Sequence, residues 1–316
     1  MMDTLNFDII NLIYSELDYI DIINVSKVNK YLYNMFVDNK KHIISKESIS
    51  YYKVKKYNLL DRYENIKISI DSSGFFDNNF KKYVNNITIL RLDEKEYVPY
   101  LPNMINLKKL LIYININFDI SNLIFLEELY ICSKTVINID SLKYLTKLKF
   151  LFLNNCEIKD SSSLEKLTNM RRLEICSSEI NSLSFLKNMK YLNHITFYNS
   201  TFNKKINYSF VKYLINLKYL NLCYTKNFKY ECLKNIKSLE ILYLTGTKII
   251  NLKSLSPLVN LKTLFLSCLL HNEELNLIPL KTLGNKNKLK IYINETLYIN
   301  EEHLIKNPNI LFIIYN

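Results

Sequence analysis

Alanine, glutamine and tryptophan are absent from this chain of 316 residues, and glycine occurs only three times. With so few glycines there is no GxGxxG, no GxxxxGK(S/T) and no GxSxG, which excludes the usual phosphate cradles and the nucleophile elbow. Arginine is scarce too: of 42 basic residues only Arg62, Arg91, Arg171 and Arg172 are arginine. The net charge of +12 therefore rests on scattered lysines with acids between them. The side chain that makes bidentate contacts to phosphate and guanine is largely missing, which argues against specific nucleic-acid binding. No apolar run approaches 18 residues, so no membrane span is expected. The opening MMDTLNFDII carries an early acid and no basic flank, so it does not read as a secretory signal.

The six cysteines (132, 156, 176, 223, 232, 268) form no CxxC pair, and His42, His194, His271 and His303 belong to no HExxH. No metal and no other cofactor is expected. Cys176 and His194 sit on neighbouring repeats, yet nothing in the sequence supplies an orienting group or an oxyanion hole for them. No catalytic residues are assigned, and the expectation is a non-enzymatic, cytoplasmic, soluble protein. Isoleucine, asparagine, lysine and 25 tyrosines fill the gaps in the composition, and all four have AT-rich codons.

One pattern fills most of the chain. LEELYICSKTV (126–136), LKFLFLNNCEI (148–158), MRRLEICSSEI (170–180) and LNHITFYNSTF (192–202) start 22 residues apart. The series resumes at Leu217, Leu239 and Leu261 after one three-residue insertion, and weaker copies start at Ile87, Leu107, Lys288 and Ile310. Together these read LxxLxLxxNxL, followed by apolar residues every three positions. That line resembles the 22-residue class of leucine-rich repeats. The resemblance implies an α/β solenoid of about eleven coils over residues 66–316. Its expected form is a horseshoe with a parallel sheet on the concave side and 3₁₀ or short helical turns on the convex side. Positions 1, 4 and 6 of each copy should form the core, because residues two apart in a strand share a face. Position 9, here Asn115, Cys156, Ser178, Ser200, Thr225, Thr247 or Thr296, should satisfy backbone groups from coil to coil. Lys95, Lys134 and Leu269 interrupt that series.

The first 45 residues follow another rule. Ile9, Leu12, Ile13 and Leu17 recur at helical spacing, and Asp21 caps a second run with Ile22, Val25, Leu32 and Phe36 on one face. The order Leu5, Ile9, Ile10, Ile13, Leu17, Asp21, Ile22, Val25, Ser26, Val28, Lys30 resembles an F-box, although Asn6 stands where that family usually has proline. An F-box before leucine-rich repeats implies a substrate receptor of a cullin–RING ubiquitin ligase. Large AT-rich DNA viruses encode such proteins, which fits the codon bias and would place this one in the host-cell cytoplasm. The organisation expected is an F-box-like hairpin or plain helical cap at 1–45, a basic connector at 46–65 and the solenoid at 66–316. Leu5, Ile9, Ile13 and Leu17 would then dock the ligase adaptor through residues 5–36.

Strand residues at position 5 point away from the core, and many are aromatic: Tyr130, Phe152, Tyr243, Phe265 and Tyr292. Positions 3, 7 and 8 add Tyr113, Tyr198, Tyr219 and Tyr224. Aromatics gathered on one face give large contact area at small entropic cost, as protein partners require. The expected capture site on the concave face comprises Tyr130, Phe152, Arg172, His194, Tyr198 and Tyr224, suited to a partner with an acidic or mixed segment. The alternative is a stand-alone scaffold that masks one protein partner.

Overall fold

The computed structural model describes residues 49–50, 68–70, 84–93, 95–114, 119–132, 139–158, 161–248, 251–266, 276–283, 288–294 and 307–315. Segment 1–45, with Leu5, Ile9, Ile13 and Leu17, lies outside them. The chain divides into two units, Met1–Ile114 and Asn115–Asn316.

In the first unit four strands pair in parallel and in chain order: β1 (Ile49–Ser50), β2 (Ile68–Ile70), β3 (Ile87–Leu92) and β4 (Lys109–Ile112). Among the described residues the first paired strand is β1, inside the stretch that its basic composition marks as a connector. Leu90, Leu92, Leu107, Leu110 and Ile112 are buried, as the repeat register requires. A nine-residue 3₁₀ helix, Lys95–Asn103, carries Pro99 and Pro102.

The second unit carries the regular repeats. β5 (Glu128–Ile131), β6 (Phe150–Asn154), β8 (Arg172–Cys176), β10 (His194–Thr196), β12 (Tyr219–Asn221), β13 (Ile241–Tyr243), β14 (Thr263–Phe265), β15 (Leu289–Asn294) and β16 (Ile310–Tyr315) form one parallel sheet in that order. A second, three-stranded parallel sheet of β7 (Glu157–Ile158), β9 (Glu179–Ile180) and β11 (Thr201–Phe202) follows the turns after β6, β8 and β10. Equal repeat length puts equal positions side by side: Leu151, Leu173, Ile195, Leu220, Leu242 and Leu264 stand in one row across the sheet. Every position 1, 4 and 6 residue from Leu126 to Leu266 is at most 3% exposed. Leu151 is wholly buried.

Crossovers run through short 3₁₀ turns, among them Ser162–Lys166, Ser184–Asn188, Ser209–Tyr213 and Leu252–Leu255. Their apolar residues stand three apart (Leu164 and Leu167, Val211 and Leu214, Leu255 and Leu258), and all are buried. Three residues per turn brings such pairs to one side, whereas an α-helix would rotate them apart. The three-residue insertion is absorbed beside an aromatic cluster in which Phe228 meets both Phe202 and Tyr208 at 5.2 Å.

Position 9 behaves as a ladder over part of its length. Ser178 Oγ accepts from the Cys156 amide at 3.1 Å, and Ser200 Oγ accepts from the Ser178 amide at 3.3 Å. Thr225 and Thr247 turn inward instead and donate to Leu222 and Leu244 of their own coils, each at 2.7 Å. A second ladder precedes the strands. Asn106, Asn169, Asn216 and Asn260, each just before position 1, donate at 2.8 Å to carbonyls of the previous coil.

Position 8 takes the left-handed conformation in five consecutive coils, at Asn155, Ser177, Asn199, Tyr224 and Gly246, with φ between 49° and 67°. The last copy departs from the register read by leucine spacing. Ile310 pairs with Leu289, so Phe312, not Ile313, falls opposite the position 4 residue Ile291.

Candidate functional site

On the face of the sheet opposite the leucine core, positions 3 and 5 carry a row of half-buried rings. Tyr130 on β5 meets Phe150 edge-on at 4.7 Å and Phe152 at 6.1 Å. The Arg172 guanidinium lies 4.9 Å from the Phe150 ring centre and holds the Glu174 carboxylate at 2.5 Å. His194 Nε2 is 3.6 Å from the same carboxylate, and the imidazole stacks on Tyr219 at 3.8 Å and 6°. From Tyr219 the row steps diagonally to Tyr243 at 5.4 Å. It continues as flat stacks, Tyr243 on Phe265 at 4.1 Å and Phe265 on Tyr292 at 4.3 Å. Aromatic and aromatic-like side chains thus run from β5 to β15, interrupted by the Arg172–Glu174 pair.

Electrostatics follow from that packing. Burial, then the neighbouring Arg172 charge, holds the His194 imidazole down to about 4, so it is neutral at pH 7. Burial pushes the Tyr219 phenol up to about 12. Cys156 and Cys176 are each pushed up to about 11 by burial, so neither is a thiolate at neutral pH.

Charge lines the edge where the strands start, at position 2. Lys149 meets Glu127 at 2.6 Å, and Glu240 is held between Lys218 at 3.1 Å and Lys262 at 2.6 Å. Hydrogen bonds from Lys262 and then Lys218 keep the Glu240 carboxyl below the usual carboxylate range. Glu127, Lys147, Lys149, Asn169, Arg171 and Tyr191 surround an open recess of about 450 Å³ on this edge. At the opposite edge, beyond the strand ends, Tyr198 and Tyr224 form an exposed edge-to-face pair at 5.6 Å.

The six residues expected to capture a partner therefore fall into two groups. Tyr130, Phe152, Arg172 and His194 share the sheet face, while Tyr198 and Tyr224 pair at its far edge. Through Tyr243, Phe265 and Tyr292 the aromatic row runs beyond the coils that carry those six residues. Each of these rings is visible in the repeat alignment, but the diagonal step from position 3 to position 5 is a packing choice. Phe150, at position 3 of its repeat, joins the row beside Tyr130 and was not among the expected residues. Cys176 and His194 stand four residues apart along paired strands, roughly 13 Å at the usual rise. They do not form one constellation. Among the described residues no group of three His, Cys, Asp or Glu side chains is placed to hold a metal ion. None of their helices is long and apolar enough to cross a membrane.

The parallel sheet, the leucine rows and the 3₁₀ crossovers define the leucine-rich repeat fold. Solved structures agree. An internalin, InlF, from Listeria monocytogenes is similar with a TM-score of 0.53 and 16% identity, over 85% of this chain and 84% of that one. Internalin C2 from the same organism gives 0.50 and 21%, over 66% and 90%. A Leptospira interrogans leucine-rich repeat protein gives 0.55 and 17%, over 84% and 81%. No protein-family model and no curated protein matches the sequence.

Proposed function

We propose that the chain is a non-enzymatic protein-interaction module whose outward sheet face captures a protein partner. The observation that carries this reading is the ring row His194–Tyr219–Tyr243–Phe265–Tyr292, half-buried and contiguous across five strands. Core packing does not require it, since positions 1, 4 and 6 already fill the interior. Large amphipathic rings at the centre of a face are what interface anchors consist of. The finer reading is a substrate receptor: residues 5–36, through Leu5, Ile9, Ile13 and Leu17, dock a cullin–RING adaptor in the cytoplasm while the repeats hold the target. The F-box resemblance of that segment supports this role. Affinity purification of the full chain, of a form lacking residues 1–40 and of the double variant Tyr243→Ala/Phe265→Ala separates the two parts. The deletion should lose cullin subunits and keep the target; the double variant should do the reverse. Cullin association that survives the deletion refutes the receptor role, and a target that survives the double variant refutes the capture face.

A further inference from the structure

We propose that the captured partner presents an extended acidic segment lying across the strands, its carboxylates on the strand-start edge and its apolar side chains on the ring row. This rests on reading the face as a capture surface and narrows it to one chemistry. Charge balance favours an acidic occupant. The carboxylates along the strip have partners within it: Glu127 pairs with Lys149, Glu128 accepts from the Tyr130 hydroxyl at 3.3 Å, Glu174 pairs with Arg172, and Glu240 with Lys218 and Lys262 together. Cations remain in excess. Glu240 answers two lysines, and Arg171 forms no ion pair among the described residues while it borders the recess with Lys147 and Lys149.

Spacing selects an extended chain. Arg171, Lys218 and Lys262 stand at position 2 of their repeats, immediately before β8, β12 and β14, every second strand of the sheet. Two strand spacings are roughly 9.6 Å. A polyproline-type extended segment repeats every three residues, roughly 9.3 Å. Acidic residues at i, i+3 and i+6 therefore meet the three cations in turn, while the residues between them reach the rings. Nucleic acid fits the same strip poorly. From His194 to Tyr292 ring faces are stacked in pairs at 3.8 to 4.3 Å, which takes up the surfaces bases would stack on, and Glu127, Glu128, Glu174 and Glu240 sit where phosphates would run.

The test is selection of a random dodecapeptide phage library on the immobilised full chain. Enriched peptides are then labelled and titrated by fluorescence anisotropy against wild type, Arg171→Glu, Arg171→Gln and Phe265→Ala, with a single-stranded oligouridylate as a parallel probe. The expected result is enrichment of net-acidic peptides with carboxylates every third residue. Affinity should fall about tenfold or more in Arg171→Glu and less in Arg171→Gln, and it should weaken as salt is raised. Neutral or basic peptides that ignore Arg171 yet need Phe265 overturn the acidic segment and leave the capture face standing. Peptides indifferent to Arg171 and Phe265 alike, or no enrichment at all, overturn both. Oligouridylate that displaces the peptides overturns the choice of a polypeptide partner.

Discussion

Gly246 has the residue its position demands, and Tyr224 has the one it tolerates worst. Both occupy the left-handed position 8, where asparagine, serine or glycine serves in the neighbouring coils. A Cβ on Gly246 would stand 2.3 Å from a ring carbon of Tyr224, so the ring uses the space that the missing side chain leaves. Gly246→Ala should destabilise by about 2 kcal/mol or more through backbone strain plus displacement of the ring. In a Tyr224→Ala background only the strain remains, and the cost should drop to about 1 kcal/mol. Urea titration of the four forms measures that coupling. His194 supplies a pH signature. Its folded value near 4 lies below the ordinary 6.5, so the fold favours the neutral ring. The stabilisation is complete above 6.5 and is lost as pH falls from there through about 4. The urea midpoint of wild type should therefore drop more over that window than the midpoint of His194→Gln; equal drops would show that the imidazole does not couple to folding.

Two kinds of side-chain bond tie coil to coil along parts of the solenoid, and they were unequally legible. The position 9 series was visible as a column of small polar residues, and Ser178 and Ser200 do bond between coils. Thr225 and Thr247 do not, since their hydroxyls reach a carbonyl of their own coil three residues back, a choice of rotamer that spacing does not reveal. The asparagines before position 1 in four coils, Asn106, Asn169, Asn216 and Asn260, do not stand out as a column because asparagine is common throughout the chain. Ser200→Ala should cost about 1–3 kcal/mol, because it removes the acceptor of the buried Ser178 amide. Hydrogen exchange at Ser178 should quicken in that variant. Leu151→Ala should cost about 2–5 kcal/mol, as a wholly buried leucine whose loss leaves a cavity between coils. A cost below 1 kcal/mol, read by urea denaturation, would contradict the packing of position 4. At β16 the leucine spacing misled by one residue: ILFIIY is apolar at every position, so periodicity could not choose the register that pairing with β15 sets.

The fold of the molecule was readable because one 22-residue rule recurs often enough to average out its exceptions, and solved leucine-rich repeat structures share it at 16 to 21% identity. The proposed capture face was readable only in pieces. Tyr130, Phe152, Arg172 and His194 stand where position counting puts them, yet counting did not join Tyr219 to Tyr243 or set Tyr198 and Tyr224 apart at the edge. Which side of the repeats captures a partner is the central claim, and hydroxyl-radical footprinting of the chain with and without a selected peptide tests it most directly. Tyr144 and Tyr213, exposed on the 3₁₀ crossovers, serve as internal controls. The account predicts that the peptide protects Tyr243, Phe265 and Tyr292 from oxidation and leaves Tyr144 and Tyr213 unchanged. Protection of Tyr144 and Tyr213 with the ring row unaltered would contradict it.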